Sequence, residues 1–112
     1  MVEKIDLSEY KDNMKSYYLV SKIYEIVGYF AELEENPIFY TDIETNMDLI
    51  IDYISDLNFV FLGNIGSLEK IKETKKIGQL MGLQVFMNPN LKENKIIFRD
   101  PEKINELELI VS

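Results

Sequence analysis

The sequence predicts an α+β domain in which two main helices and one short helix pack on a small, mainly antiparallel sheet. Three observations support this fold class. Two long segments repeat apolar residues at helical spacing, several short segments have strand character, and the composition is globular, with 46% hydrophobic and 29% charged residues. A chain of 112 residues buries roughly two thirds of its unfolded surface. We therefore expect a single domain over residues 1–112.

A first main helix is predicted from Glu9 to about Glu34, a segment without proline. Asp6 or Ser8 would cap its start, because either side chain can accept a hydrogen bond from a free N–H of the first turn. At 1.5 Å per residue the helix would be about 39 Å long. We expect it to kink, to break near Asn13 or Gly28, or to pack against a second copy, and apolar residues on two of its faces favour a central core helix. One helical face contains Tyr10, Met14, Tyr17, Ser21, Tyr24, Gly28 and Ala31.

A second main helix is predicted from Thr41 to about Leu57. Thr41 and Glu44 have the spacing of a capping box, in which two side chains bind the first free N–H groups of a helix. Asn36-Pro37 ends the preceding helix, since a residue before proline avoids the α region. Residues 38–40 are then an edge strand or an extended link. The stripe predicted to face the core is Ile43, Met47, Ile50, Ile54 and Leu57.

The opposite face of this predicted helix carries four acids at four-residue spacing: Glu44, Asp48, Asp52 and Asp56. Like charges at this spacing disfavour a helix by about 0.2 to 0.5 kcal/mol per pair. Two interpretations remain open, because the acids are either a solvated face or a ridge that binds a basic protein partner. A straight column on one helix cannot surround a cation as a calcium-binding loop does, so no metal site is predicted.

Four strands are predicted, at residues 59–62, 83–87, 95–99 and 105–111. The first is apolar at successive positions, so we expect it to be covered on both faces. In the last, alternation places Leu107, Leu109 and Val111 inward. The second and third would form an antiparallel hairpin with a wide loop at Asn88-Pro89-Asn90.

A turn at residues 63–67 is predicted to precede a short helix from Leu68 to about Lys76, with Ser67 as its cap. A strand, a glycine-containing turn and a helix start also describe phosphate-binding loops. The spacing and the Gly-Lys-Ser/Thr ending of such a loop are absent, which favours a capped turn. A basic cluster lies in this segment; it complements the helix C-terminus, pairs with the acids upstream, or favours head-to-tail association of copies. It contains Lys70, Lys72, Lys75 and Lys76.

The formal net charge of −8 is unevenly distributed along the chain. Residues 23–69 hold ten acids and no base. Such a one-sided charge disfavours direct contact with nucleic-acid phosphates or anionic lipid and favours a basic protein partner. No apolar run approaches the roughly 18 residues of a membrane span, and the start of the chain lacks a secretory signal, so we expect a cytoplasmic protein.

The residue types present argue against catalysis. The sequence has no cysteine and no histidine, which excludes thiolate nucleophiles, imidazole bases and the usual zinc ligands. No nucleophile with an adjacent base can be named among the remaining residues. We therefore expect no enzyme and no cofactor.

Residues 76–98 carry a distinctive pattern of glycine, proline and apolar positions. The pattern is Gly78-x-Leu80-x-Gly82-Leu83-x-Val85-Phe86, then Asn88-Pro89-x-Leu91, then Ile96-Ile97-Phe98. It resembles the strand-turn-strand passage near the C-terminus of HK97-type phage major capsid proteins. The resemblance implies a reduced relative or a mimic of their peripheral domain, with no catalytic residues. The positions for which it implies structural roles are Gly78, Gly82, Val85, Pro89 and Ile97.

Two functions follow as expectations. The first is a non-enzymatic, small phage-type structural or assembly protein that associates with itself through the long helix or the hairpin, in the host cytoplasm or the virion. The alternative is an acidic binding inhibitor, such as an immunity, anti-defence or nucleic-acid-mimic protein. In that case the candidate partner-binding residues are Glu44, Asp48, Asp52 and Asp56.

Overall fold

The computed structural model describes residues 2–34, 41–63, 65–100 and 106–112. Two α-helices, α1 and α2, span Lys15–Glu34 and Met47–Asp52. Short 3₁₀ helices lie at Leu7–Glu9, Asp12–Met14, Ile54–Asp56 and Ile65–Lys70. The strands β1 to β7 are Val2–Ile5, Asp42–Thr45, Phe59–Phe61, Lys75–Leu80, Leu83–Met87, Lys95–Arg99 and Glu106–Val111.

The strands form one seven-stranded sheet in the order β1-β7-β6-β2-β5-β4-β3. β2 runs parallel to β5, and β1 runs parallel to β7. The other neighbouring pairs are antiparallel. The α+β class is therefore confirmed, but the sheet is mixed, and the prediction of a mainly antiparallel sheet is wrong.

The core lies between one face of the sheet and the helices. Leu19, Ile23 and Val27 of α1 are fully buried there, together with Ile50 of α2. The alternation predicted for β7 is confirmed, because its three predicted inward residues are buried and Glu106 is exposed. The sheet residues in this core include Ile43, Leu80, Leu83, Val85, Met87, Ile96, Phe98, Leu107, Leu109 and Val111. We call the opposite side of the sheet the second face; its side chains include Glu44, Phe86, Ile97 and Arg99.

The predicted hairpin between residues 83–87 and 95–99 does not form, although both segments are strands. β2 lies between them, with Ile43 opposite Val85 on one side and Phe98 on the other. Residues 42–45 alternate half-buried and buried side chains, as a central strand requires. This pairing buries Ile43 and Thr45 completely.

The second helix is consequently shorter than predicted and begins later. Asn46, not Thr41, is its N-cap, and its Oδ1 accepts a hydrogen bond from the backbone N–H of Leu49 at 2.9 Å. α2 ends at Asp52, and the chain continues as a 3₁₀ turn after Tyr53. Of the stripe predicted to face the core, Ile50 and Ile54 are buried as expected.

Three further predictions are corrected. The first helix begins at Lys15 after two 3₁₀ turns, and Asp6 caps the first of these through the N–H of Ser8. The predicted short helix 68–76 is a 3₁₀ helix that ends at Lys70, and β4 starts at Lys75. β3 lies at the sheet edge and is not covered on both faces.

The sequence did not predict the strand β1. The edge strand or extended link predicted at residues 38–40 lies outside the described residues.

The turn between β4 and β5 has two residues with positive φ, Met81 at 48° and Gly82 at 93°. Two-residue hairpin turns of this kind match the natural twist of the strands, and asparagine followed by glycine is their preferred sequence. Met81 is 53% exposed, so its side chain contributes little packing. Left-handed backbone at an unbranched, non-glycine residue is uncommon and unfavourable.

Met81→Asn should therefore stabilise the protein by about 0.5 to 1 kcal/mol, because asparagine tolerates left-handed backbone better than methionine. The measurement is the free energy of unfolding in urea. Met81→Val is the opposing control, since a β-branched side chain at this φ should destabilise the turn. Equal stability of the two variants would contradict the assigned turn.

A tight contact at Gly78 joins β4 to β3. A Cβ atom at Gly78 would lie 2.8 Å from Cζ of Phe59 and closer still to the backbone oxygen of Val60.

Gly78→Ala should destabilise the protein by about 1 to 3 kcal/mol, because the β3 backbone must move. Gly28→Ala is the matched control; a Cβ there meets nothing within 4 Å, and alanine in a helix should stabilise by up to about 1 kcal/mol. Loss of stability in both variants, measured by urea denaturation, would contradict this contact.

Tyr24 connects α1 to the β4–β5 turn. Its hydroxyl donates to the carbonyl oxygens of Leu80 and Met81 at 3.0 and 2.8 Å. Burial raises the pKa of Tyr24 above its ordinary value, so the protonated hydroxyl is favoured in the folded state. Its contribution to stability is present below the unfolded pKa of about 10 and is lost as pH rises through the folded pKa.

Tyr24→Phe should lower the free energy of unfolding by about 0.5 to 1.5 kcal/mol at neutral pH. The difference from the wild type should shrink above about pH 10, because the tyrosine then ionises more readily in the unfolded chain than at its buried site. Urea denaturation at both pH values checks this. Tyr29→Phe, at a 48% exposed position of α1, should be nearly neutral, and an equal loss there would show that the effect is not specific to Tyr24.

Candidate docking surface

Three of the four predicted partner-binding acids lie exposed on one short segment. Asp48 and Asp52 occupy successive turns of α2, and Asp56 ends the following 3₁₀ helix. Asn46 sets the start of this segment, while the buried Leu49, Ile50 and Ile54 direct its other side into the core. Residues four apart in an α-helix share a face, so Asp48 and Asp52 present their carboxylates side by side.

Among the described residues, none of these three aspartates forms an ion pair with a lysine or arginine. Asp52 also lies at the C-terminal end of α2, where the helix dipole disfavours a negative charge. Packing of the buried isoleucines therefore holds these charges in place against a small electrostatic cost.

Glu44, the fourth predicted acid, does not belong to this group. It lies on β2, on the second face of the sheet, and its side chain is only 12% exposed. Its Oε1 pairs with Nη1 of Arg99 at 2.6 Å, and its Oε2 accepts from Nδ2 of Asn88 at 3.1 Å. The predicted column of four acids on one helix is thus wrong in geometry, because Glu44 is a strand residue with bound partners.

The second face neutralises its charges internally. Arg99 also pairs with Glu106, and Lys95 pairs with Glu108 at 3.2 Å. Burial opposes the charge on Arg99, but its two carboxylate partners outweigh burial and raise the pKa of Arg99. Hydrogen bonding to Glu108 likewise raises the pKa of Lys95. The acids of the sheet are therefore engaged within the molecule, in contrast to Asp48 and Asp52.

Tyrosines at the start of α1 adjoin the acidic segment. Tyr17 is 57% exposed and meets Tyr18 edge to face, with ring centroids 5.5 Å apart. Tyr18 stacks on Tyr10 at 4.1 Å. Ser16 Oγ donates to Oδ2 of Asp56 at 3.4 Å, which joins this end of α1 to the acidic segment. We call Asp48, Asp52, Asp56, Tyr17 and Tyr18 the acidic–tyrosine surface.

A groove of about 360 Å³ opens beside Asp48. It lies between the start of α2, the 3₁₀ helix at residues 65–70 and the loop after β5. Met47, Leu68 and Ile71 contribute apolar walls, whereas Glu69 and Lys92 bring charge to it. Groove and acids together offer a partner both apolar contact and carboxylates. The remaining lining residues are Asn46, Met87, Asn88, Pro89 and Leu91.

The described side chains include no group of three or more carboxylates placed to hold a metal ion. Across the same residues, no helix combines the length and apolar character needed to cross a membrane.

Sequence reasoning identified three of the exposed acids but missed the groove and the Tyr10–Tyr18 stack. Four-residue spacing predicted that the acids share one face of a helix. This prediction is correct for Asp48 and Asp52, because both lie within α2. The groove arises from segments far apart in sequence, for which no local pattern exists. The sequence predicted a loop at Asn88-Pro89-Asn90, and the first two of these residues line the groove.

Comparison of the chain with protein-family models, with curated proteins and with solved structures found no match. The resemblance of residues 76–98 to HK97-type phage capsid proteins therefore stays a prediction. Any function assigned to the chain rests on the chemistry and geometry of its own surface.

Proposed function

We propose that the chain is a small binding protein that docks its acidic–tyrosine surface on a basic patch of another protein, as an inhibitor or immunity-type protein does. The observation that carries this proposal is the contrast between two sets of acids. Glu44, Glu106 and Glu108 are matched by cations on the second face. Asp48 and Asp52 remain exposed without such a match among the described residues.

The chemistry of the surface fits a partner rich in lysine and arginine. Carboxylates on successive helical turns can each accept charge-assisted hydrogen bonds, which are stronger than neutral ones. Exposed tyrosines supply apolar area and a hydroxyl at a low entropic cost, and arginine stacks on their rings. Tyrosine is also enriched among the residues that dominate interface energies. The groove beside Asp48 adds a place for an apolar side chain that flanks the basic residues.

A charge-reversal pair tests the proposal. Asp48→Lys with Asp52→Lys should weaken binding to the purified partner by about 2 kcal/mol or more, roughly 30-fold, because attraction is replaced by repulsion. The wild-type affinity should also fall as salt is raised, since exposed charges are screened. Binding is measured by calorimetry after the partner has been isolated on immobilised protein and identified.

The matched control is Glu32→Lys with Glu73→Lys, which makes the same change in net charge at two exposed positions outside this surface. It should leave the affinity nearly unchanged. Equal weakening by both pairs would mean that net charge alone drives association. Unchanged affinity of the Asp48 and Asp52 variant would overturn the proposal.

A second candidate function is the phage-type structural or assembly role, which requires association between copies of the chain. One specific observation favours it, namely the apolar sheet edge at β3, which no strand covers in the described part of the chain.

A further inference from the structure

β3 ends the sheet on one side, and in the described part of the chain its outer edge has no strand partner. The N–H of Leu62 donates to the carbonyl of Ile77 at 2.9 Å, so Leu62 directs its backbone toward β4. Backbone groups of successive residues in a strand point in alternate directions. The N–H and carbonyl of Val60 therefore also point toward β4. Phe59 and Phe61 direct their carbonyls, and Phe61 its N–H, toward the open edge.

Within the described residues, this edge carries no charged side chain that would discourage pairing with another chain. Residues 57–63 contain no charged side chain, in a protein with a net charge of −8. Val60 and Leu62 are 65% and 63% exposed. The opposite edge of the sheet, β1, carries Glu3 and Lys4, and charged residues on an edge strand discourage sheet extension.

The edge is also complementary to itself. Phe59-Val60-Phe61 reads the same in both directions, so two copies that pair antiparallel about Val60 place each Phe59 opposite a Phe61 of the second copy. Each Phe61 N–H then donates to the Phe59 carbonyl of the second copy. Phe59 already donates its own N–H to Leu57 at 2.6 Å, which leaves the Phe61 N–H groups as the donors for this pairing. A closed twofold contact of this kind stops at a dimer.

We propose that β3 is a self-association edge, at which two copies pair antiparallel about Val60 and join their sheets. The contact strip itself is uncharged, so like-charge repulsion acts only between the remoter parts of the two chains. Added salt should therefore strengthen this dimer, whereas it weakens docking of a basic partner on the acidic–tyrosine surface. The inference is independent of the proposed docking function, and the opposite salt effects keep the two tests apart.

Single-cysteine variants test both the contact and its register, because the natural chain has no cysteine. In the proposed pairing Val60 faces Val60 of the second copy as a non-hydrogen-bonded pair, with Cα atoms about 4.5 Å apart. That separation suits a disulfide. Leu62 would lie about 14 Å from Leu62 of the second copy, four residues out of register at about 3.4 Å each.

Val60→Cys should therefore form a disulfide dimer of doubled mass on mild oxidation, at least roughly tenfold faster than the controls, because association raises the effective thiol concentration. Leu62→Cys is the matched control on the same strand, and Met81→Cys is a control on another exposed apolar position. The rates are followed by non-reducing electrophoresis at low and high salt. Circular dichroism verifies that all three variants are folded.

A second measurement does not depend on oxidation. Sedimentation of the wild type over micromolar to millimolar concentrations should show a monomer–dimer equilibrium that shifts toward dimer in salt. Val60→Lys should abolish it, while Met81→Lys should not. Equal cross-linking rates at positions 60, 62 and 81, faster cross-linking at position 62, or a wild type that stays monomeric at all these concentrations would each overturn the proposal.

Discussion

The insertion of β2 between β5 and β6 is the constraint on which the rest of the structure depends. Ile43 and Thr45 occupy the centre of the core face and are completely buried. Their neighbours run in opposite directions, with β5 parallel to β2 and β6 antiparallel to it. A parallel pair needs a long crossover connection, and in this chain α2, β3 and β4 make up the connection between β2 and β5.

Polar contacts at the end of β2 hold this arrangement in register. Thr45 Oγ1 donates to the carbonyl of Lys95 at 2.8 Å, and the carbonyl of Thr45 accepts from the N–H of Asn88 at 2.9 Å. Asn46 Nδ2 donates to the carbonyl of Glu93 at 3.1 Å while its Oδ1 caps α2. Because these groups are buried or half-buried, leaving one unpaired would cost about 1 to 3 kcal/mol. Asn46 thus sets both the end of β2 and the start of α2.

The same constraint separates the charges of the molecule into two classes. Glu44 on β2 pairs diagonally with Arg99 on β6, so its charge is neutralised within the sheet. Asp48 and Asp52 follow the Asn46 cap on the helix and point away from the core. The proposed docking and self-association surfaces are consequently distinct, one acidic and one uncharged.

Local pattern determined a large part of this fold. Alternation in residues 83–87 and 105–111 predicted two strands correctly, because burial on one sheet face imposes a period of two, and an apolar run predicted the strand at 95–99. Helical periodicity predicted most of α1 for the equivalent reason. The four-residue spacing of the exposed aspartates was likewise visible without a structure.

Tertiary structure decided what these patterns leave ambiguous. Thr41-Asp-Ile-Glu44 fits both a capping box and an alternating strand, and only the buried place between β5 and β6 selects the strand. The neighbours of β5 and β6 depend on contacts between residues remote in sequence, for which adjacency along the chain is a poor guide. A remote contact also explains Gly78. Glycine is needed there because a side chain would collide with the backbone of Val60, eighteen positions earlier. The sequence by itself therefore determined which segments alternate, and the packing of remote segments decided where each one lies.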